Sequence, residues 1–335
     1  MTTKPLLALA AAALAVPLLA ACGDDADTAG GSADRLLVAT TVAPLTSITA
    51  AVAGDRADLR GIVPEGTNSH TFEPAPKVAE LLSEADVVLV NGLKLEDPTL
   101  ELAEANMSDD ATLVQIGDEV LPESDYLYDF SFPEEDGKPN PHLWTDPTYV
   151  KKYADVIETT LAERDPANAD TYAENNAAFQ RKVDELIAAL RADQESLAPE
   201  KRTLLTYHDA YAYFAKSFDW TVIGAVQPKD FEDPSAQEVA RLIDQVREQD
   251  VKTLFGSEVF PSAVLEEIGR ATGARYEDTL RDDDLPGEPG DEEHSWFGLM
   301  RYNYVTMIEG LGGTAEQLPA FDLGGLVPDT ADYPQ

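Results

Sequence analysis

Asn168–Leu197, NADTYAENNAAFQRKVDELIAALRADQESL, is the stretch that decides the architecture. Tyr172, Asn176, Phe179, Val183, Leu186, Leu190 and Leu197 recur mostly at steps of three or four, and no Gly or Pro interrupts before Pro199. That spacing lays one stripe along one helix face. It predicts a single helix of roughly 26–30 residues, about 40 Å long at 1.5 Å per residue. On both sides of it, strand-like and helix-like segments alternate. Before it, Leu36–Thr41 (LLVATT), Asp58–Val63 and Ala85–Val90 (ADVVLV) read as strands. Ala43–Ala53, stopped by Gly54, then Val78–Ser83 and Pro98–Ala105, capped by Asp97, read as helices. After it, Thr203–Thr206, Thr221–Gly224, Thr253–Gly256 and Ala274–Glu277 read as strands, and Ala210–Phe218, Ser235–Gln249, Ser262–Thr272 and Trp296–Leu311 as helices. The expected fold is α/β, with two lobes, each a mostly parallel sheet flanked by helices, joined by one long linker helix. The expected divisions are 36–167 for the first lobe, 168–199 for the linker, 200–320 for the second lobe and 321–335 for a C-terminal tail.

The 335 residues include 24 basic and 63 acidic side chains, a net charge of −39. Nucleic-acid affinity comes mainly from Lys and Arg on phosphates, so that class of partner is excluded. The single cysteine, Cys22, leaves no internal disulfide and no Cys-rich metal knuckle. It closes MTTKPLLALAAAALAVPLLAAC, where Lys4 precedes an unbroken apolar run from Leu6 to Ala21. This is the layout of a secretory signal over residues 1–21. At 16 residues, with Pro17 inside it, the run is short for spanning a bilayer. Leu19-Ala20-Ala21-Cys22 resembles a bacterial lipobox, in which cleavage before Cys22 leaves a lipidated N-terminus on the outer face of the membrane. Cleavage there removes only Lys4 among the charges, taking −39 to −40. Residues 22–35, mostly Gly, Asp, Ala and Ser, read as a flexible tether.

Three of the four histidines stand in similar settings. His70 lies in PEGTNSHTFEP, His142 in KPNPHLWTDP and His208 in LLTYHDAYAYF, turns at or near the ends of predicted strands. Loops at strand ends are where open α/β sheets bind ligands. The fourth, His294, in DEEHSWFGLMRYN, reads as a surface residue, and the acidic loop Asp125–Asn140 as a solvated excursion.

The motifs SHTFEP, NPHLWTDP, YHDAYAYF and MRYN, in that order, resemble the solute-binding proteins of zinc and manganese ABC importers, over about Leu36 to Leu311. The resemblance implies two α/β lobes joined by one long helix, with one metal ion held in the cleft by four side chains. Carried over by position, these are His70, His142, His208 and, in RYEDTL, Asp278. Glu277 and the run Asp282, Asp283, Asp284 are acidic neighbours that compete for the fourth place, although such a run by itself reads as a solvated loop. Glu258, in FGSEVF, is a candidate for orienting a ligand imidazole.

Three imidazoles and one carboxylate suit tetrahedral Zn²⁺, whereas Mn²⁺ favours oxygen-richer surroundings. Zn²⁺ is therefore the expected cargo and Mn²⁺ the alternative. A metal-dependent hydrolase is the rival from another class. No HExxH or GxSxG is present, and four protein ligands leave no position for an activated water. The chain is therefore not expected to be an enzyme. A surface adhesin is a third reading. The expected partners are the ion and a membrane permease, for a chain acting as a monomer.

Overall fold

The computed structural model describes residues 35–334 apart from 230, 232, 233, 260–262 and the side chains of Glu277 and Asp278. The signal, the lipobox with Cys22 and most of the tether lie outside the described residues. The chain runs β1 (Leu36–Thr40), α1 (Ala43–Ala53), β2 (Ala57–Gly61), α2 (Pro76–Glu84), β3 (Val87–Val90), α3 (Asp97–Asn106), β4 (Thr112–Gln115), α4 (Ile116–Val120), α5 (Pro147–Arg164) and α6 (Ala169–Gln194). It continues with β5 (Thr203–Thr206), α7 (Ala212–Phe218), β6 (Thr221–Ala225), α8 (Ala236–Glu248), β7 (Thr253–Ser257), α9 (Ala263–Thr272), β8 (Arg275–Leu280) and α10 (Trp296–Gly310).

Local chemistry explains the ends of these elements. Pro44 sits in the first turn of α1, where its missing N–H costs nothing, and Gly54 ends the helix at φ +62°. Ser235 and Glu238 cap α8 reciprocally, each side chain accepting from the other's backbone N–H. Glu96, not Asp97, precedes α3. Its buried carboxylate accepts from the Thr41 hydroxyl and from the amides of Asn91 and Gly92, which fixes the turn after β3.

Each lobe holds a four-stranded parallel sheet, in the orders β2-β1-β3-β4 and β6-β5-β7-β8. Strand β3 (VVLV) is buried throughout, as expected for a strand covered on both faces. Strand order reverses between β1 and β3 and between β5 and β7, so the crevice opens at the carboxyl ends of these strands.

Helix α6 is 26 residues long and buries the predicted stripe, Tyr172, Asn176, Phe179, Val183, Leu186 and Leu190. It packs on α1 and α5 from the first lobe and on α10 from the second. One apolar core is therefore continuous across both lobes, with each fully buried large side chain contributing roughly 1.5–3 kcal/mol. Indole donors stitch the seam. Trp296 Nε1 donates to the Trp144 carbonyl at 2.8 Å, and Trp144 Nε1 to the Asp282 carbonyl at 2.8 Å. The Tyr304 hydroxyl donates to the Thr145 carbonyl at 2.9 Å. The C-terminal segment returns to the first lobe. Asp332 pairs with Arg60, and the Tyr333 ring lies so close over Gly61 that a Cβ there would meet it at 2.0 Å.

Candidate metal centre

Strand β2 leads into the turn that carries His70, where Asn68 Oδ1 accepts from the His70 amide at 3.0 Å. His142 closes the loop between α4 and α5, and His208 follows β5 at the sheet's reversal point. The three turns aim their imidazoles at one another. His142 Nε2 lies 2.9 Å from His208 Nε2, and His70 Nε2 lies 3.2 Å and 3.3 Å from those two atoms. These are the only residues among those described whose nitrogen, sulfur or carboxylate donors cluster tightly enough to hold a metal ion.

The tautomers follow from the partners. Asn140 Oδ1 can only accept, so His142 Nδ1, 2.8 Å away, carries the proton. Gln227 Oε1 does the same for His208 Nδ1. Both rings then turn an Nε2 lone pair inward, the arrangement that orients metal-binding imidazoles. Asn140 is itself held, its Nδ2 donating to the Asp209 carbonyl at 2.7 Å and to Asp129 Oδ2 at 3.1 Å.

Burial keeps the triad neutral. It pushes His70 and His142 well below the ordinary imidazole value, aided by the neighbouring imidazoles and, for His70, by Lys138. It lowers His208 to about 4 against an opposing pull from Gln227. Donor spacing fits a metal. A tetrahedral Zn²⁺ with bonds of about 2.0–2.1 Å needs donors about 3.3–3.4 Å apart, and small outward shifts bring the triangle to that size. An octahedral face with slightly longer bonds has similar edges, so the triangle alone does not select the metal.

Asp278 lies in the middle of β8, not after it. It falls at the irregularity where Phe255 pairs with Glu277 and Gly256 pairs with Thr279. Its side chain and that of Glu277 lie outside those described.

The acidic run is not a solvated loop. Asp282 is 4% and Asp283 8% exposed. Glu258 gathers it, with Oε1 accepting from the amides of Asp282, Asp283 and Asp284 at 2.6, 3.0 and 3.2 Å. The described bonds of Glu258 go to this backbone and to the Ser257 hydroxyl, not to an imidazole, and Asn140 and Gln227 orient the imidazoles. Asp284 reaches across to the first lobe and accepts from the Gly66 amide at 2.8 Å, while Glu65 accepts from the Leu285 amide at 2.7 Å. This hook grips the loop that carries His70. Burial raises all these carboxyls, Asp283 to about 8.

His294 is only 2% exposed, contrary to its reading as a surface residue. The loop Asp125–Asn140 is also not a free excursion. Residues 134–138 are exposed, but Ser131, Phe132 and Asn140 are buried against the site. Ser131 fixes the loop to the second lobe, with Oγ donating to the Gln227 carbonyl at 2.7 Å and N–H donating to Asp209 at 3.0 Å.

A family model described as zinc-uptake complex component A, periplasmic, matches residues 38–310. The manganese-binding lipoprotein MntA of Halalkalibacterium halodurans is 29% identical over 299 residues, covering 89% of this chain and 96% of the relative. The iron ABC transporter substrate-binding lipoprotein MtsA of Streptococcus pyogenes is 28% identical over 307 residues, covering 89% and 96%. In fold, the chain resembles the periplasmic zinc-binding protein TroA of Treponema pallidum, with a TM-score of 0.75, 23% identity and coverage of 83% and 99%. A manganese-bound periplasmic metal-binding protein of Candidatus Liberibacter asiaticus gives a TM-score of 0.72 at 24% identity, covering 83% and 100%. Among the described residues, no helix is long and apolar enough to cross a membrane.

Proposed function

Because this chain belongs to the periplasmic zinc-uptake component family, the solute-binding proteins of metal ABC importers, we propose that it captures Zn²⁺ outside the cytoplasm and hands it to a membrane permease. His70, His142 and His208 hold the ion, with Asp278 as the fourth ligand and lipidated Cys22 as the anchor. The observation that carries this reading is the convergence of three Nε2 atoms within 3.3 Å, two of them with Nδ1 bonded to an amide oxygen. Neutral buried imidazoles accept a soft-to-borderline cation without first losing protons, which favours zinc over harder ions. Four protein ligands close the coordination sphere, which suits capture and release and leaves no place for an activated water.

Manganese is the second reading, favoured by the relative from Halalkalibacterium halodurans, a manganese-binding lipoprotein. Protein purified without chelator should carry close to one equivalent of zinc by elemental analysis. In competition titration, wild type should prefer Zn²⁺ to Mn²⁺, and His142→Ala should lose about a hundredfold or more in affinity, since even an outer partner of a metal ligand is worth about 10–100-fold. An unchanged affinity in His142→Ala would sink the site, and preferred binding of Mn²⁺ would sink the zinc reading alone.

A further inference from the structure

Two phenylalanines close over the triad, one from each lobe. Phe231, in the loop after β6, lies flat on the His70 ring, with centroids 4.3 Å apart and planes 12° from parallel. Phe132, from the loop before α5, stands 5.4 Å from His70 and edge-on to His142 at 5.6 Å. The two benzyl rings lie 5.8 Å apart, so they touch across the cleft. Phe231 holds φ +59°, a conformation rare for a bulky side chain, in a turn closed by its N–H donating to the Pro228 carbonyl at 3.0 Å. Such a backbone persists where the surroundings hold it, and the stack on His70 is one contact that does so.

Beside His70 a cavity of about 60 Å³ opens toward solvent, with Phe132 and Phe231 in its wall. A water needs about 10–15 Å³ of such space, so the cavity holds several. His70 borders this cavity, whereas His142 and His208 are 0% and 3% exposed, and the two rings form the wall beside the triad.

Resting on the reading of the triad as a metal site, we propose that Phe132 and Phe231 determine metal specificity by excluding water from the bound ion. Three imidazoles and one carboxylate complete a tetrahedral zinc. They leave an octahedral ion such as Mn²⁺ short of ligands, and it must draw water or a second carboxylate oxygen to make up its shell. Benzyl rings donate no lone pair, and the shell around a metal site controls solvent access. The rings thus penalise the metal that needs water and leave zinc untouched. A benzyl ring has no donor atom, so theirs is a specificity role and not ligation.

The test compares wild type with Phe132→Ala, Phe231→Ala and the apolar replacements Phe132→Leu and Phe231→Leu. The readouts are Zn²⁺ and Mn²⁺ affinities and the number of waters on bound Mn²⁺, measured by water-proton relaxation. Each Ala variant should gain bound water and narrow the Zn/Mn affinity ratio about tenfold, the lower end of what outer-shell changes do. The Leu variants should stay near wild type, because they keep the site dry. A bound-water number and metal ratio unchanged in both Ala variants, with wild type still binding zinc, would overturn the inference and leave the metal site standing. Wild type that binds neither ion would overturn both. Melting curves identify an Ala variant that fails to fold, and the other variant then decides.

Discussion

The histidine triad and the acidic hook bury ionisable side chains at the same cleft, yet they use burial differently. In the triad, burial neutralises three imidazoles whose Nε2 atoms converge on one another. In the hook, Glu258, Asp284 and Glu65 accept from backbone amides. A group whose hydrogen-bonding capacity is already taken up by the chain is structural. Three converging imidazole nitrogens, two of them with the proton held on Nδ1, make a site for a cation. The hook obeys the rule that buried polar groups find partners inside the protein, whereas the triad converges in a form that a metal completes.

Removing Glu258 should widen that contrast most. Glu258→Ala orphans three amides, at about 1–3 kcal/mol each when buried, and so should lower the stability of metal-free protein by about 3 kcal/mol or more. For a chain this long that is roughly 6 °C or more in melting temperature. Glu258→Gln, which can keep one oxygen in place, should lose less. Calorimetry in chelator measures both. If Glu258→Ala melted like wild type but lost zinc, the hook would belong to the donor set and the distinction would collapse.

Gln227 sharpens the triad's side of the comparison. Gln227→Leu keeps the volume and removes the acceptor that holds the proton on His208 Nδ1. Zinc affinity should fall about 10–100-fold, with little change in the melting temperature of metal-free protein. Equal affinity in a competition titration would mean that packing alone fixes the His208 tautomer.

How legible these parts were in the sequence depends on how local their causes are. The stripe on α6 and the apolar run of β3 follow from periodicity within one element, and the three histidines stood out because each sits in a turn near a strand's end. Strand β4, TLVQ, has four half-buried residues and no alternation, so nothing marked it. Asn140 stands two residues before His142, in plain view, but its role depends on the loop folding back on itself. Gln227 is 19 residues from His208 and has no periodic relation to it. Phe132 and Phe231 likewise meet His70 only because two loops from different lobes converge. The acidic run misled for the same reason. Three consecutive aspartates look solvated until a glutamate 24–26 residues away takes their amides.

The last expected effect depends on pH and concerns a carboxyl pair beside the triad. Asp129, in the loop before α5, meets Asp209, the neighbour of His208. Burial and the facing Asp209 carboxylate push Asp129 up to about 10, and burial raises Asp209 as well. The pair is therefore expected to keep one proton between its carboxyls in the folded protein, whereas both ionise when it unfolds. Because the folded value lies above the unfolded one, this contribution is fully present in acid, below the unfolded value of 3.8, and drains away as pH rises toward about 10. A single proton gives a slope of about 1.4 kcal/mol per pH unit at most. Asp129→Asn replaces the shared proton with a permanent N–H donor to Asp209 and keeps an oxygen for Asn140. The variant should therefore match wild type near pH 5 and exceed it at pH 8–9, with a shallower fall between. Melting curves in chelator across that range exclude any contribution from bound metal. Parallel curves would show that Asp129 and Asp209 share no proton.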